Sequence, residues 1–159
     1  MYKTEKETVI MSENSTNVNV TVNNTSPVAQ LRTNRGLAKF FLLSLITFGI
    51  YGLVVYAHIS EDTNIVCSRY DGKKTMNFWL LAFIVGPLTC GIGYLVWGHK
   101  LASRIGNELA RRGLDYNFGA GDYWLWGILG TIIVVGPFVY CHKLLKAMNT
   151  LNADFNAKG

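Results

Sequence analysis

The stretch TFGIYGLVVYAH, residues 47–58, indicates how the chain is organised, because the pattern of its last seven residues recurs twice later in the chain. GLVVYAH (52–58) is followed by GYLVWGH (93–99) and GPFVYCH (136–142), which share Gly, Val, an aromatic residue and His at the same spacing. The three histidines in these copies are the only ones in the 159 residues. A sequence that repeats at a nearly fixed period predicts a fold built from like units.

Three stretches without a charged residue coincide with these repeats, at residues 40–57, 78–98 and 123–141. A helix needs about 20 apolar residues to cross a bilayer core of about 30 Å, and each stretch has about that length. The whole chain is 50% hydrophobic and only 16% charged, whereas about 25% charge is usual for soluble domains. These features predict an integral membrane protein.

The chain divides into a polar tail, residues 1–33, and a membrane domain, residues 34–156. The tail is rich in Asn, Thr and Ser and is predicted to be disordered. The domain comprises three pseudo-repeated units, at about 34–70, 75–112 and 121–156. In each unit an apolar helix reaches a Gly/Pro break, and a second helix becomes amphipathic beyond its His. The predicted fold class is therefore all-α and membrane-embedded.

Two topologies are compatible with these units. Each unit is either a kinked transmembrane helix with an amphipathic juxtamembrane extension or a re-entrant hairpin whose arms meet at the break. Three spans would leave seven basic residues on one side and six on the other, where the positive-inside rule expects a clear bias. Hairpins would leave every basic segment in the cytoplasm. The sequence leaves both alternatives open, and only hairpins would place both termini on the same side.

One phrase of unit one resembles the recurrent mark of the bacterial membrane proteins in the domain-of-unknown-function 4234 family. It consists of Thr47, Gly49, Ile50, Tyr51 and Tyr56, with Asn64 further on. The resemblance includes WLWGILGTIIVVGPFVYCHKLLKAMNTLN (124–152) and covers about residues 34–156, although unit two departs at Gly93 and unit three replaces the phrase with Val-Gly-Pro. It implies an integral protein of a bacterial plasma membrane and transfers no reaction, ligand or catalytic residue.

The histidines admit two interpretations. His58, His99 and His142 each follow an aromatic residue by two positions and end an apolar run, as residues do at a membrane–water interface. The favoured hypothesis is interfacial anchoring, with the aromatic residues at headgroup depth. The alternative is a three-His site for zinc or a similar metal. Metal-bound histidines usually have a carboxylate or carbonyl partner, and only His58 has acidic residues close by in sequence.

The residues at the breaks and exits form a predicted structural motif that reverses and packs each unit. The motif comprises Thr47, Gly49, Ile50, Tyr51, Gly52 and Tyr56 in unit one, Gly91, Gly93 and Trp97 in unit two, and Gly136, Pro137 and Tyr140 in unit three. An asparagine follows each histidine by six to eight residues. These asparagines, Asn64, Asn107 and Asn149, are predicted to form hydrogen bonds between neighbouring repeats.

The sequence favours a non-enzymatic function, because it contains none of the usual hydrolase, zinc-protease or phosphate-loop motifs. We expect no cofactor and no nucleic-acid partner. Basic pairs beside apolar segments, Lys73-Lys74 and Arg111-Arg112, are typical of binding to anionic lipid. The first hypothesis is a membrane-structural or adaptor protein at the cytoplasmic leaflet, with another copy or another membrane protein as partner. The alternatives are an oligomeric pore, channel or solute carrier, and a three-His metal protein.

Overall fold

The computed structural model describes residues 30–159, and over this range the chain is all-α and contains no β-strand. The predicted all-α class is therefore confirmed. The helices are α1 (Leu37–Ile46), α2 (Ile50–Asp71), α3 (Phe78–Leu80), α4 (Gly86–Leu88), α5 (Ile92–Arg111), α6 (Ala120–Asp122) and α7 (Gly136–Lys158). A π-helical segment, Leu81–Val85, joins α3 to α4, and α6 continues into a π-helical segment, Tyr123–Ile128, and a 3₁₀ segment, Leu129–Ile133. Most of the predicted disordered tail, residues 1–29, lies outside the described residues.

Each apolar run forms a helical hairpin whose two arms run antiparallel and meet at the predicted break. In unit one, Gly52 on α2 approaches Ser44 and Phe40 on α1. In unit two, the Tyr94 hydroxyl on α5 donates to the carbonyl of Ala82 in the preceding arm. The expectation of kinked transmembrane helices is wrong, because the chain reverses at each break and the apolar residues are shared between two arms.

No helix within residues 30–159 combines the length and the apolar character that a bilayer crossing requires.

A Thr-x-Gly turn closes the first two hairpins with nearly the same backbone geometry. Gly49 and Gly91 both have φ of 90° and ψ of −13°. The residues before them, Phe48 and Cys90, have φ of 50° and 49°. The Gly49 amide donates to the carbonyl of Ser44, five residues back, as at the end of a helix in a Schellman motif. The repeat seen in the sequence is therefore also a repeat of turn conformation.

The threonine of each turn joins the end of one arm to the start of the next. Thr47 Oγ1 donates to the Leu43 carbonyl at 2.6 Å and accepts a hydrogen bond from the Tyr51 amide at 2.9 Å. Thr89 forms the same two bonds, at 2.6 and 2.9 Å, with the carbonyl four residues before it and the amide four residues after it. The hydroxyl gives a partner to an amide at the start of the second arm, and it shares the carbonyl of the first arm with the amide of the same threonine.

The third hairpin lacks this turn and closes through a direct contact between two glycines. A Cβ on Gly136 would lie 2.2 Å from the Cα of Gly130, so there is no room for a side chain. Val134 has the positive φ, 62°, that the reversal requires. Pro137 lies in the first turn of α7, where its missing N–H removes no helical hydrogen bond.

The three long helices, α2, α5 and α7, pack against one another and run in the same direction. Near their starts, Tyr56 on α2 contacts both Cys141 on α7 and the ring of Trp97 on α5. Pairs further along keep this order, Thr63 with Met148 and Cys67 with Arg104. Because each break lies at the start of a long helix, all three hairpin tips lie at the same end of the molecule.

An aromatic layer connects the arms of each hairpin just beyond the tips. The pairs are Phe40–Tyr56, Phe78–Trp97 and Tyr123–Tyr140, with ring centroids 5.0 to 6.0 Å apart. Trp97 and Tyr140 are buried and Tyr56 is half-buried. The three rings therefore pack between the arms of their hairpins, and their position at headgroup depth stays a prediction. Beyond this layer the long helices bury aliphatic side chains, each of which contributes about 1.5–3 kcal/mol.

Asparagine side chains on the long helices form hydrogen bonds with the backbone of residues that lie outside the helices. Asn64 Nδ2 donates to the Thr75 carbonyl at 2.9 Å, and its Oδ1 accepts from the Thr75 amide at 2.6 Å. Asn156 forms the same pair of bonds with Leu31, both at 2.8 Å. The first connects units one and two, and the second places residue 31 beside the end of α7.

We expect Gly136→Ala to lower the free energy of unfolding by about 1–3 kcal/mol, because the added methyl group would overlap the backbone of Gly130. Gly121→Ala is the matched control, since Gly121 is also helical and a Cβ there would meet nothing within 4 Å. Denaturant titrations of both variants, followed by circular dichroism, provide the measurement. Equal stabilities would contradict the close packing of the third hairpin.

Candidate functional site

Large apolar side chains are exposed at the end of the molecule where the hairpins turn. Phe48 is 97% exposed, Ile132 83% and Leu88 80%. The tip surface, as we call it, comprises Leu45, Ile46, Phe48, Ile50, Phe83, Ile84, Leu88, Ile92, Leu129, Ile132, Ile133, Val134 and Val135. No charged residue occurs in the sequence of the three tips. Clustered exposed apolar side chains of this kind mark a membrane or protein contact.

Phe48 occupies a position that the backbone alone would give to glycine or asparagine. Its φ of 50° is in the left-handed region, which costs a side-chain-bearing residue about 1–2 kcal/mol. Packing inside the protein does not offset this conformational cost, because the phenyl ring is almost fully exposed. A strained and exposed Phe therefore points to a contact made outside the chain.

The opposite end of the molecule carries buried charge at the seams between units. Arg104 and Asp71 pair across the seam of units one and two, and Arg112 and Asp154 pair across the seam of units two and three. At the remaining seam, Asn152 of unit three donates to Asp62 of unit one, which is also paired with Arg35. The molecule thus has one apolar exposed end and one end built from ion pairs.

Arg104 on α5 binds the end of α2 and the linker that follows it through all three of its side-chain nitrogens. Nε and Nη2 donate to the two carboxylate oxygens of Asp71 at 2.7 and 3.0 Å. Nη1 donates to Asn64 Oδ1 at 2.8 Å and to Thr75 Oγ1 at 2.6 Å, and Nη2 also donates to the Lys73 carbonyl at 2.7 Å. The side chain is only 9% exposed, so the position of the linker depends on a buried cation.

These ion pairs lower the pKa values of the carboxylates at the seams. Burial alone would raise the pKa of Asp71, but hydrogen bonds from Arg104 hold it below its ordinary value. Burial also opposes ionisation of Glu108, whose pKa is nevertheless lowered by the two arginines that follow it on α5. The pKa of Asp154 is lowered in the same way, because bonds from cations that include Arg112 outweigh its burial.

A groove of about 990 Å³ runs along α5 from the tip surface toward the polar end. Side chains spaced three or four residues apart on one face of α5 form one wall. In order they are Ile92, Val96, His99, Lys100, Ser103, Asn107 and Arg111. The linker at residues 73–76 and the end of α2 contribute to the lining. This α5 groove is therefore apolar at its tip end and polar and basic at its other end.

Basic side chains outnumber acidic ones in the α5 groove. Its two carboxylates, Asp71 and Glu108, are paired with Arg104 and Arg111. The other cations in the lining are Lys73, Lys74 and Lys100. These three lysines are exposed, and none of them pairs with a carboxylate in the part of the chain that the structure describes. The groove can therefore attract an anion.

The structure does not bring the three histidines together. His58 is half-buried, and His99 and His142 are exposed. Over residues 30–159, no three side chains of His, Cys, Asp or Glu lie close enough to hold one metal ion. His99 Nδ1 accepts a hydrogen bond from the Trp124 indole at 3.1 Å, so a neutral His99 ring carries its proton on Nε2. Interfacial anchoring by the histidines stays a prediction.

Two of the three predicted asparagines connect units. Asn64 binds Thr75 of unit two, and Asn149 of unit three binds the amide and carbonyl of Arg35 at 3.1 and 2.7 Å. Asn107 is instead exposed on the wall of the α5 groove. The three asparagines therefore do not share one environment, although they occupy similar positions after the histidines.

Sequence reasoning missed Arg104, which pairs across a seam, and Glu108, which binds Arg111 and Arg112 on its own helix. The available signal is their spacing, because both lie beside the apolar positions Leu101, Ile105 and Leu109 on α5. A charged residue at the edge of a buried helix face needs a partner. The sequence gives no means of identifying that partner, which for Arg104 is a set of residues about 30 to 40 positions earlier.

Residues 35–107 match the family model described as "Domain of unknown function (DUF4234)". The match covers unit one and most of unit two, so the predicted resemblance is confirmed for residues 35–107 and not for the remainder of 34–156. No curated protein and no solved structure matches the chain.

We expect Arg104→Met to lower the free energy of unfolding by about 3 kcal/mol, because it leaves the partners of a buried cation unsatisfied. Arg32→Met is the control, since the Arg32 side chain is exposed and only its backbone carbonyl accepts hydrogen bonds. Its effect should stay within about 0.5 kcal/mol. Urea titrations measure both, and a loss below about 1 kcal/mol for Arg104→Met would contradict the role assigned to this residue.

We expect acid to destabilise the polar end. The pKa values of Asp71, Glu108 and Asp154 are lowered in the folded chain, so their ionised forms stabilise the fold above the ordinary carboxyl pKa of about 4. This stabilisation is lost as the pH falls below about 4 and passes through the lowered pKa values. With Asp154→Asn, the free energy of unfolding should fall less steeply as the pH decreases. With Asp115→Asn, at an exposed turn, the steepness of this fall should be unchanged.

Proposed function

We propose that the chain, whose residues 35–107 match the DUF4234 family model, is a non-enzymatic protein that inserts three hairpin tips into one leaflet of a bilayer. The polar ends of the long helices then lie in the aqueous phase, where they act in an adaptor role. The observation that carries this proposal is the separation between the exposed apolar tip surface and the ion-paired opposite end.

The length of the inserted arms supports insertion into a single leaflet. From the break to the histidine, the long helices extend over residues 50–58, 92–99 and 136–142. At 1.5 Å per residue these segments are about 10–14 Å long. Half of a hydrocarbon core of about 30 Å is about 15 Å. The tips therefore fit within one leaflet, and the histidines lie near the headgroups.

The backbone at the breaks supports the same proposal. A chain that reverses in lipid must pair its free N–H and C=O groups within the protein. The hydroxyls of Thr47 and Thr89 bind backbone groups on both sides of their turns, and the amides of Gly49 and Gly91 bind carbonyls of the preceding arm. The first two tips can thus enter an apolar phase with few unpaired polar groups.

The distribution of charge favours anionic lipid. Insertion of hairpins leaves every basic segment on one side of the membrane, as the positive-inside rule favours for the cytoplasmic face. Each basic residue near an anionic surface contributes about 1 kcal/mol to binding. We therefore place the protein at the cytoplasmic leaflet, and the family resemblance favours a bacterial plasma membrane. We also propose that the protein associates with another copy of itself or with another membrane protein. The oligomeric pore, which is the second hypothesis from the sequence, stays a prediction.

The tip surface is tested by replacing one exposed apolar side chain at each tip. The combined variant Phe48→Asn, Leu88→Asn and Ile132→Asn should bind vesicles of phosphatidylglycerol and phosphatidylcholine at least about 100-fold more weakly, because three large side chains no longer enter the bilayer. Phe48→Asn adds no backbone strain, since asparagine tolerates a positive φ. Ile65→Asn is the matched control, because Ile65 is exposed on α2 but lies beyond the histidine. Equal vesicle binding by all the variants would contradict insertion of the tips.

Cys90 provides a reporter for insertion because it lies at the second tip and is exposed, whereas Cys67 and Cys141 are buried. Burial also raises the pKa of Cys67 to about 12, so its thiol is a poor nucleophile. An environment-sensitive fluorophore on Cys90 should shift to shorter wavelength when anionic vesicles are added. The same fluorophore on Ala153→Cys, at the polar end of a Cys90→Ser chain, should not shift.

A further inference from the structure

We propose that the α5 groove binds a single anionic phospholipid, with the headgroup phosphate at the lysines and the first part of an acyl chain along the apolar wall. This inference rests on the proposed function, because insertion of the tips would bring the apolar end of the groove to the depth of the acyl chains. It adds a defined site for one lipid to a general attraction for anionic membranes.

The tip end of the groove suits a hydrocarbon chain. Ile92 and Val96 are 62% and 49% exposed although they are apolar, and both line the groove. Gly93 lies between them, and a Cβ there would come within 2.9 Å of Val85 and of Thr89. Gly93 therefore allows the preceding arm to lie close to α5, and the exposed aliphatic side chains on either side of it form an apolar wall of the groove. An acyl chain that entered it from the leaflet would cover side chains that water otherwise contacts.

The middle of the groove suits a phosphate. Lys73, Lys74 and Lys100 have no carboxylate partner among the described residues, while Asp71 and Glu108 are neutralised by arginines. Three lysines that converge on one groove provide charge-assisted donors for phosphate oxygens. Because the two carboxylates are already paired, they oppose an anion less than free carboxylates would.

The linker that carries two of these lysines is fixed by the protein. The Lys73 carbonyl accepts a hydrogen bond from Arg104 Nη2 at 2.7 Å, and the Lys73 amide donates to Asp71 Oδ1 at 2.9 Å. Thr75 is held in turn by Asn64. Since the backbone is already ordered, binding of a headgroup requires less loss of conformational entropy.

Neutral donors and the size of the groove favour a lipid over a free inorganic ion. Ser103, Asn107 and the Nε2 side of His99 offer hydrogen bonds beside the lysines, and these suit the ester and glycerol oxygens of a phospholipid. The volume of about 990 Å³ lies at the upper end of the range for small-molecule sites, about 300–1,000 Å³. An inorganic phosphate would leave most of that volume empty.

The test measures stoichiometric lipid binding by the full chain in a neutral detergent. Dioctanoyl phosphatidylglycerol is the probe, with dioctanoyl phosphatidylcholine and glycerol phosphate as comparison ligands. Calorimetry should show one phosphatidylglycerol per chain and much weaker binding of both comparison ligands. The variant Lys73→Gln, Lys74→Gln and Lys100→Gln should bind phosphatidylglycerol about 100-fold more weakly, because three cations near the phosphate are removed.

A second variant removes the same charge outside the groove. Lys39→Gln, Lys146→Gln and Lys158→Gln should leave phosphatidylglycerol binding within about twofold of the original chain, because these lysines do not line the groove. Equal losses in the two variants, or equal binding of phosphatidylcholine, would overturn the proposal. Equal binding of glycerol phosphate would also overturn it, since the site would then recognise a free phosphate ester.

The fluorophore on Cys90 separates this proposal from the function on which it rests. In the groove variant the fluorophore should still report insertion into vesicles while stoichiometric binding of phosphatidylglycerol is lost. Stoichiometric binding in detergent by a chain that never inserts would refute the proposed function and support the lipid site. Insertion by a chain that binds no phosphatidylglycerol in detergent would refute the lipid site alone.

Discussion

The bidentate ion pair between Arg104 and Asp71 is the constraint on which the arrangement of units one and two depends. A guanidinium that is only 9% exposed cannot lose its partners without a large loss of stability. Its position on α5 therefore fixes the end of α2, the linker after it and the start of the second hairpin. The same contacts leave Lys73 and Lys74 on the outside of that linker. A buried cation thus determines where two exposed cations lie.

The two ends of the molecule satisfy their polar groups in different ways. At the tips, the side chains are apolar, and the threonine hydroxyls and glycine amides satisfy the backbone of the first two turns. At the other end, charges are buried in pairs between units. The aromatic layer lies between these ends and connects the two arms of each hairpin. Each unit alone would expose one face of its long helix, which becomes buried only when the other two units are present.

The repeats and the breaks could be predicted from sequence, because Thr-x-Gly and Gly-Pro have local conformational consequences. The choice between hairpins and spans could not be made, since runs of 18 to 21 apolar residues suit one long helix or two short arms equally well. A regular aromatic position before each histidine fits either a membrane interface or a packed layer inside the protein. The sequence alone therefore does not show that these rings pack against one another. The partners of Arg104 and the lining of the α5 groove come from residues that are distant from one another in sequence, so neither could be predicted. Lys100 joins Lys73 and Lys74 only through the packing of α5 beside the linker.

The two hydrogen bonds between Leu31 and Asn156 have a consequence for the evolution and engineering of the fold. They place the segment before unit one in the same kind of contact with unit three as the Asn64–Thr75 bonds provide between units one and two. The units therefore have a cyclic order, in which no unit is structurally first. A circularly permuted chain, joined from residue 156 to residue 31 and opened at the linker between two other units, would retain the same helices and the same seams.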